Sequence, residues 1–275
     1  MTFMIISMPD AKYFAINNRC SASSIKGAFK KSPAHYQAEK NKQSNALSFG
    51  SIAHTAILEP SKFRDRYIIA PEVNKRTKAG KEALAKFEAV AGDRQIISND
   101  DQSKVFAMKE VFRAHKTATD LIEQDGPIEK VVLFELFDIP FKAKLDKIAI
   151  VDNSIVDYKT SRDASANSFG YDYIKYGYHI QGYIYQQAAI AAGYNVDKVK
   201  FIVQESAEPH AISVFTLPED ALTLAELKVQ ELAPQWYECF KSGVWPGYSE
   251  EVIELELPYS ARKELEAYAD DMLEF

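Results

Sequence analysis

Residues 142–160 read KAKLDKIAIVDNSIVDYKT, two runs of strand-forming residues on either side of the turn dipeptide Asp152-Asn153. A two-residue turn there predicts a β-hairpin in which Asp146 faces Lys159 and Ile148 faces Asp157. Asp157 and Lys159 are two apart and share one face of their strand. Asp146 joins them, beside Lys159 and diagonal to Asp157, within reach of one shared ion. The flanking Leu145, Ile155 and Val156 imply a sheet interior, where charges are seldom buried without purpose. Two carboxylates at one spot repel unless a divalent cation sits between them. Such a cation orients and activates water and steadies charge on a phosphoryl group, and a neighbouring ammonium can position that water or neutralise the phosphate. The trio therefore suits phosphodiester hydrolysis. Its plainer alternative is a hairpin salt bridge, which contributes little when exposed.

Outward from the hairpin, residues 128–160 are β-rich, and further strands are predicted at 198–205, 210–216 and 252–257. A helix is predicted over 21–41, opened by the serine-rich CSASSIKG and interrupted at Ser32-Pro33, and another over 48–58, before Glu59-Pro60. Propensity and apolar spacing add helices at 79–92 and 103–124. One long helix is predicted from 166 to 192, one at 219–242 with Pro234 marking a kink, and one after Pro258. The fold class is therefore α/β (α+β), a mixed central sheet of about five strands flanked by helices. With no repeat or linker in view, residues 1–275 read as one domain. It has a mainly helical part (1–127), a sheet and catalytic core (128–248) and an acidic C-terminal segment (249–275).

Composition narrows the class. The chain has 275 residues, 47% apolar and 26% charged, ample for a buried core. Its two cysteines, Cys20 and Cys239, cannot build a thiolate zinc site or an iron–sulfur cluster and suit a reducing cytoplasm. No apolar run reaches the roughly 18 residues of a membrane span, and the first residues, MTFMIISMPDAKYF, lack the features of a signal peptide. Neither export nor membrane insertion is expected. Taken alone, the net charge of −6 argues against nucleic acid. The last 27 residues, however, hold nine acids and two bases, net −7, which leaves residues 1–248 at +1. Two basic clusters lie in that body, Lys26, Lys30 and Lys31, and Lys75, Arg76, Lys78 and Lys81. Each is a phosphate-facing patch or an ordinary solvated surface.

Beyond the hairpin, Gln181 and Tyr185 in YHIQGYIYQQAA are spaced i, i+4 on one helix face and offer an amide and a phenol to water or phosphate. The tyrosines there also read as core-facing. His54, in SFGSIAHTAIL, is a metal ligand or a satisfied core histidine.

Taken in order, FGSIAH (49–54), KLDKI (144–148), VDYKT (156–160) and QGYIY (181–185) resemble the PD-(D/E)XK nuclease superfamily, and within it the RecE-type exonucleases, exonuclease VIII and its phage relatives. The stretch HTAILEPSKFRDRYIIAPEVNKRTKAGKEA (54–83) is similar to the segment after the motif histidine in those enzymes. The resemblance implies a restriction-endonuclease-like core and a metal site of His54, Asp146, Asp157 and the Tyr158 carbonyl. That site would hold one or two Mg2+ ions, with Mn2+ as a substitute and no iron–sulfur cluster. It also implies Lys159 as catalytic lysine, with Gln181 and Tyr185 completing the catalytic set.

The implied activity is that of a hydrolase, an exodeoxyribonuclease degrading one strand of linear duplex DNA 5′ to 3′. It would leave 3′ overhangs for recombination by a single-strand annealing protein, in a bacterial or phage-infected cytoplasm. The implied assembly is a ring-shaped homo-oligomer, trimer or tetramer, around double-stranded DNA ends. Lys26, Lys30, Lys75, Arg76 and Lys78 are the candidates to touch DNA, with Arg19 a further candidate for a 5′-phosphate. Two alternatives share the fold: an endonuclease or nickase, and a non-catalytic DNA-binding module. Where the superfamily motif has proline before the first aspartate, this chain has Leu145, a relaxation that removes no ligand.

Overall fold

A computed structural model describes residues 4–39, 47–71, 73–74 and 76–273. Lys75 and the expected helix end at Asn41 lie outside the described residues. In chain order the elements are β1 (Met4–Ile6), α1 (Asp10–Ala15), α2 (Ala22–Lys30), α3 (Pro33–Glu39), α4 (Leu47–Leu58), α5 (Phe63–Arg66), β2 (Tyr67–Ile69), α6 (Lys78–Ala91), β3 (Gln95–Ile97), α7 (Asn99–Ala114) and α8 (Lys116–Glu123). They continue with β4 (Ile128–Leu136), β5 (Ile139–Ala149), β6 (Ser154–Ser161), α9 (Ala166–Lys175), α10 (Tyr178–Ala191), β7 (Lys198–Glu205), β8 (Ile212–Thr216), α11 (Glu219–Ser242) and α12 (Tyr259–Leu273).

Six strands form one sheet in the order β1-β4-β5-β6-β7-β8, and β2 and β3 pair separately. Only β6–β7 is parallel in the large sheet, because the connection between them runs through α9 and α10. Consecutive residues of β6 bury into opposite layers, as the strand period of two requires. Ile155 packs with Ile25, Phe134, Phe141, Ile184 and Trp236 from the side of α2, α10 and α11. Val156 and Tyr158 pack with Ile52, Met108, Phe112 and Leu121 from α4, α7 and α8. The result is a mixed sheet between two helical layers.

Several elements differ from expectation, each for a local reason. The sixth strand, β1, has only three residues, too few to show a period, and is held by its pairing with Val131–Leu133 of β4. Within the β-rich stretch 128–160 the chain turns at Phe137-Asp138, both at positive φ (53° and 59°), as a tight hairpin between β4 and β5 demands. The helix expected over 103–124 is two, because His115 leaves helical geometry and its Nδ1 accepts the Ala118 amide at 3.2 Å as the cap of α8. The helix expected over 166–192 is also two, broken at Gly177 with φ +66°. By contrast, α11 runs through Pro234.

The strand expected at 252–257 does not form. Val252 and Leu255 are 101% and 90% exposed, and no neighbouring strand supplies a ladder for this stretch among the described residues. Just before it, the chain is clasped to α3, with the Ala34 amide donating to the Pro246 carbonyl at 3.0 Å. There Tyr36 lies 5.5 Å from the Trp245 ring, and Trp245 lies 6.3 Å from Trp236. Among the described residues no helix is long and apolar enough to cross a membrane.

Candidate active site

The expected hairpin is present, with a different turn. It spans four residues, 150–153, rather than two, with Asn153 at φ +53° and the Asp152 carboxylate held by Lys200 at 2.6 Å. The observed rungs are Ala149↔Ser154, Ile148↔Ile155 and Lys147↔Val156. Continued by one rung, that register sets Asp146 opposite Asp157, not opposite Lys159. Here the ladder stops, and the Asp146 carboxylate takes its place: Oδ2 accepts the Tyr158 amide at 2.9 Å.

The other flank of β5 is interrupted at the same level. Between Ile128↔Lys147 and Lys130↔Leu145 the ladder skips Glu129 and Asp146, and Glu129 has φ +54°, a conformation that costs a non-glycine residue on the order of 1–3 kcal/mol. Both acids turn toward α4. His54 Nε2 lies 2.9 Å from Asp146 Oδ2, and its Nδ1 lies 3.4 Å from Glu129 Oε1. Lys144 pairs with Glu129 and, at 2.6 Å, with Asp10. Burial alone would depress the imidazole pKa, but the Asp146 carboxylate, bonded to it, and Glu129 raise it to about 9. Burial likewise works to raise Asp146, yet His54 holds it below the usual carboxylate range. Glu129 is raised, by burial and then by Asp146.

Asp157 forms a second group. It is 1% exposed, pairs with Lys159 and accepts from Gln181 Nε2 at 2.9 Å. Burial pushes its carboxyl up to about 6 against the pull of Lys159. Lys159 is raised, since Asp157 and Asp146 outweigh the cost of burying it. Its ammonium also lies 5.1 Å from the Tyr178 ring centroid. Lys26 reaches the same place from α2: Nζ donates to Gln181 Oε1 at 3.1 Å and lies 5.5 Å from the Tyr178 ring. Burial, and then Lys159, bring its pKa down to about 8. Tyr185, one turn beyond Gln181, interacts with that amide and is pushed well up by burial. Gly182 lets α10 lie close on the sheet, since a Cβ there would be 2.7 Å from Val199 Cγ1.

His54, Asp146, Tyr158, Asp157, Lys159, Gln181, Tyr185 and Lys26 thus meet in one place. Lys30 is exposed one turn along α2 from Lys26, and Arg76 and Lys78 are exposed ahead of and at the start of α6. Arg19 is not a free cation: it donates to the carbonyls of Phe134 and Phe141 at 3.2 and 3.3 Å and fastens the entry to α2 onto the sheet. Glu129, Lys144 and Asp10 were not singled out from sequence. The available signal for Glu129 was an acid set among strand residues, IEKVVLFEL, across a hairpin from Asp146.

The donors suit a divalent cation. One atom each from His54, Glu129 and Asp146 lies within 4.8 Å of the others. Both Glu129 oxygens and Asp157 Oδ2 are buried without a hydrogen-bond donor, leaving them to the cations beside them. Glu129, rather than Asp157, completes this tightest trio, and Asp157 stands next to it, taken up by Lys159 and Gln181.

The mixed sheet with its paired acids and lysine is the fold of PD-(D/E)XK nucleases. More narrowly, the chain belongs to the PDDEXK-like domain of unknown function, DUF3799, matched over residues 21–256. Among solved structures it is similar to a putative exonuclease from Eubacterium rectale, at 15% identity and a TM-score of 0.60 over 92% of this chain and 97% of that one. Similarity is also found to a phage-related exonuclease from Haemophilus somnus, at 13% identity and a TM-score of 0.38, covering 84% of this chain and 99% of that one. An alkaline exonuclease from Laribacter hongkongensis shares 14% identity at a TM-score of 0.31, over 67% and 97% of the two chains. No curated protein matches the sequence.

Proposed function

We propose that this protein is a magnesium-dependent exodeoxyribonuclease that degrades one strand of linear duplex DNA from the 5′ end. The observation that carries the reading is that Asp146 joins His54 and Glu129 on one side and, by accepting the amide of Tyr158, the strand segment of the buried Asp157–Lys159 pair on the other. Asp146, His54 and Glu129 would hold the ion, with Asp157 and the Tyr158 carbonyl as further oxygens; manganese would substitute. When bound, the metal supplies an activated water and a counter-charge for the phosphate. The chain's own residues do the rest. Lys159, kept protonated by two carboxylates, places a fixed positive charge where charge develops on the phosphoryl group. Gln181 holds Asp157 in one orientation, and Tyr185 stands ready to orient water or a phosphate oxygen. Lys30, Arg76 and Lys78, with Lys75, supply backbone contacts.

The product, a duplex with a 3′ single-stranded overhang, suits a single-strand annealing partner, and a ring of copies would hold the duplex topologically. The test is digestion of end-labelled linear duplex, carrying 5′-phosphate or 5′-hydroxyl, in magnesium. Shortening from the 5′ end that EDTA stops is the expected result, with closed circular DNA left intact. Cleavage of the circle would indicate an endonuclease, and magnesium binding without cleavage a non-catalytic module.

A further inference from the structure

We infer that Lys26 is a positioning residue, which acts on Asp157 through the amide of Gln181 rather than by touching DNA. The inference rests on the nuclease reading of the site. An amide can present either end to a neighbour, and only its partners decide which. Lys26 has donors and no acceptor, so Gln181 must turn Oε1 toward it, at 3.1 Å. The NH2 group is then left facing Asp157, where it donates to Oδ1 at 2.9 Å. The other oxygen, Oδ2, is paired with Lys159. The carboxylate is thus gripped on both oxygens, and one of the two grips is set by a residue of a different helix. Without Lys26 the amide oxygen would lose this donor, and the grip of the NH2 group on Asp157 would be left to Asp157 alone to orient.

The local structure is arranged around this reach. Lys26 arises from α2, and its stem passes over Gly177, where a Cβ would stand 2.8 Å from Lys26 Cδ and 2.9 Å from Cγ. Tyr178, immediately after that glycine, lies under both ammonium groups, 5.5 Å from Lys26 and 5.1 Å from Lys159. A lysine whose task was to meet a phosphate in solvent would need neither the gap nor an amide acceptor.

The experiment is a double-mutant cycle of Lys26→Met and Gln181→Ala, with Lys26→Arg beside it, in the full chain. It is read by kcat and KM on linear duplex in magnesium, and separately by thermal unfolding in EDTA. Lys26→Met is expected to lower kcat about tenfold with KM unchanged. The same change on top of Gln181→Ala should add less than about twofold, and Lys26→Arg, also a donor only, should restore most of the rate. The unfolding midpoints should be non-additive in the same sense. Independent effects of the two single variants, or a rise in KM alone as expected of a direct phosphate contact, would overturn the inference. If the wild type cleaves nothing, the nuclease reading fails, while the unfolding cycle still decides whether Lys26 and Gln181 act together.

Discussion

At the scale of single residues, the proposed activity rests on Asp157 and Lys159. Either Asp157→Ala or Lys159→Ala is expected to lower cleavage by on the order of 100- to 1,000-fold, measured on labelled duplex in magnesium. His54 gives a pH signature. Its folded pKa, about 9, lies above the 6.5 of a free imidazole. In the metal-free chain its contribution to stability is therefore fully present below pH 6.5 and is lost as pH rises through 9. The midpoint difference between wild type and His54→Gln in EDTA should shrink across that window. The proposed metal would need the neutral ring, so its binding should displace a proton from His54 wherever the pH lies below about 9. Calorimetry in buffers of different ionisation enthalpy should show that release for wild type and not for His54→Gln.

At the scale of elements, the expected and observed hairpins differ by two residues in the turn, yet both keep Asp146 beside Asp157 and Lys159. A strand's period of two makes an even error harmless to the face on which a side chain stands. That is why the acids and lysine were legible in the sequence although their partners were not. Glu129 was not legible, because its part in the site depends on a left-handed backbone beside a skipped rung, and nothing in local propensity announces either. The break at Gly177 was equally hidden, since the residues on both sides favour helix and the reason for the break is Lys26, 151 positions earlier. Gly177→Ala combines a left-handed φ with a crowded Cβ. It should cost about 1–2 kcal/mol and lower the unfolding midpoint by about 2–6 °C, with a fall in cleavage as Lys26 is displaced.

For the whole molecule, the charge of −6 divides into a body at +1 and a C-terminal segment at −7, in which Val252, Ile253, Leu255, Leu257, Tyr259, Leu265 and Tyr268 are exposed. A chain ending at Tyr248 should unfold within about 0.5 kcal/mol of the full chain, since the removed side chains from Val252 to Tyr259 are exposed. It should hold duplex DNA at least as tightly, by electrophoretic shift, because like charge has been removed. Loss of binding on truncation would place the segment on the DNA-facing side instead. The clasp between α3 and the end of α11 has an optical consequence. Trp236 and Trp245 are the chain's two tryptophans, and both sit in that one cluster with Tyr36 and Phe240. Tryptophan fluorescence therefore watches this clasp and not the His54–Glu129–Asp146 trio. A magnesium titration that changed tryptophan emission would report motion carried from the sheet to α11.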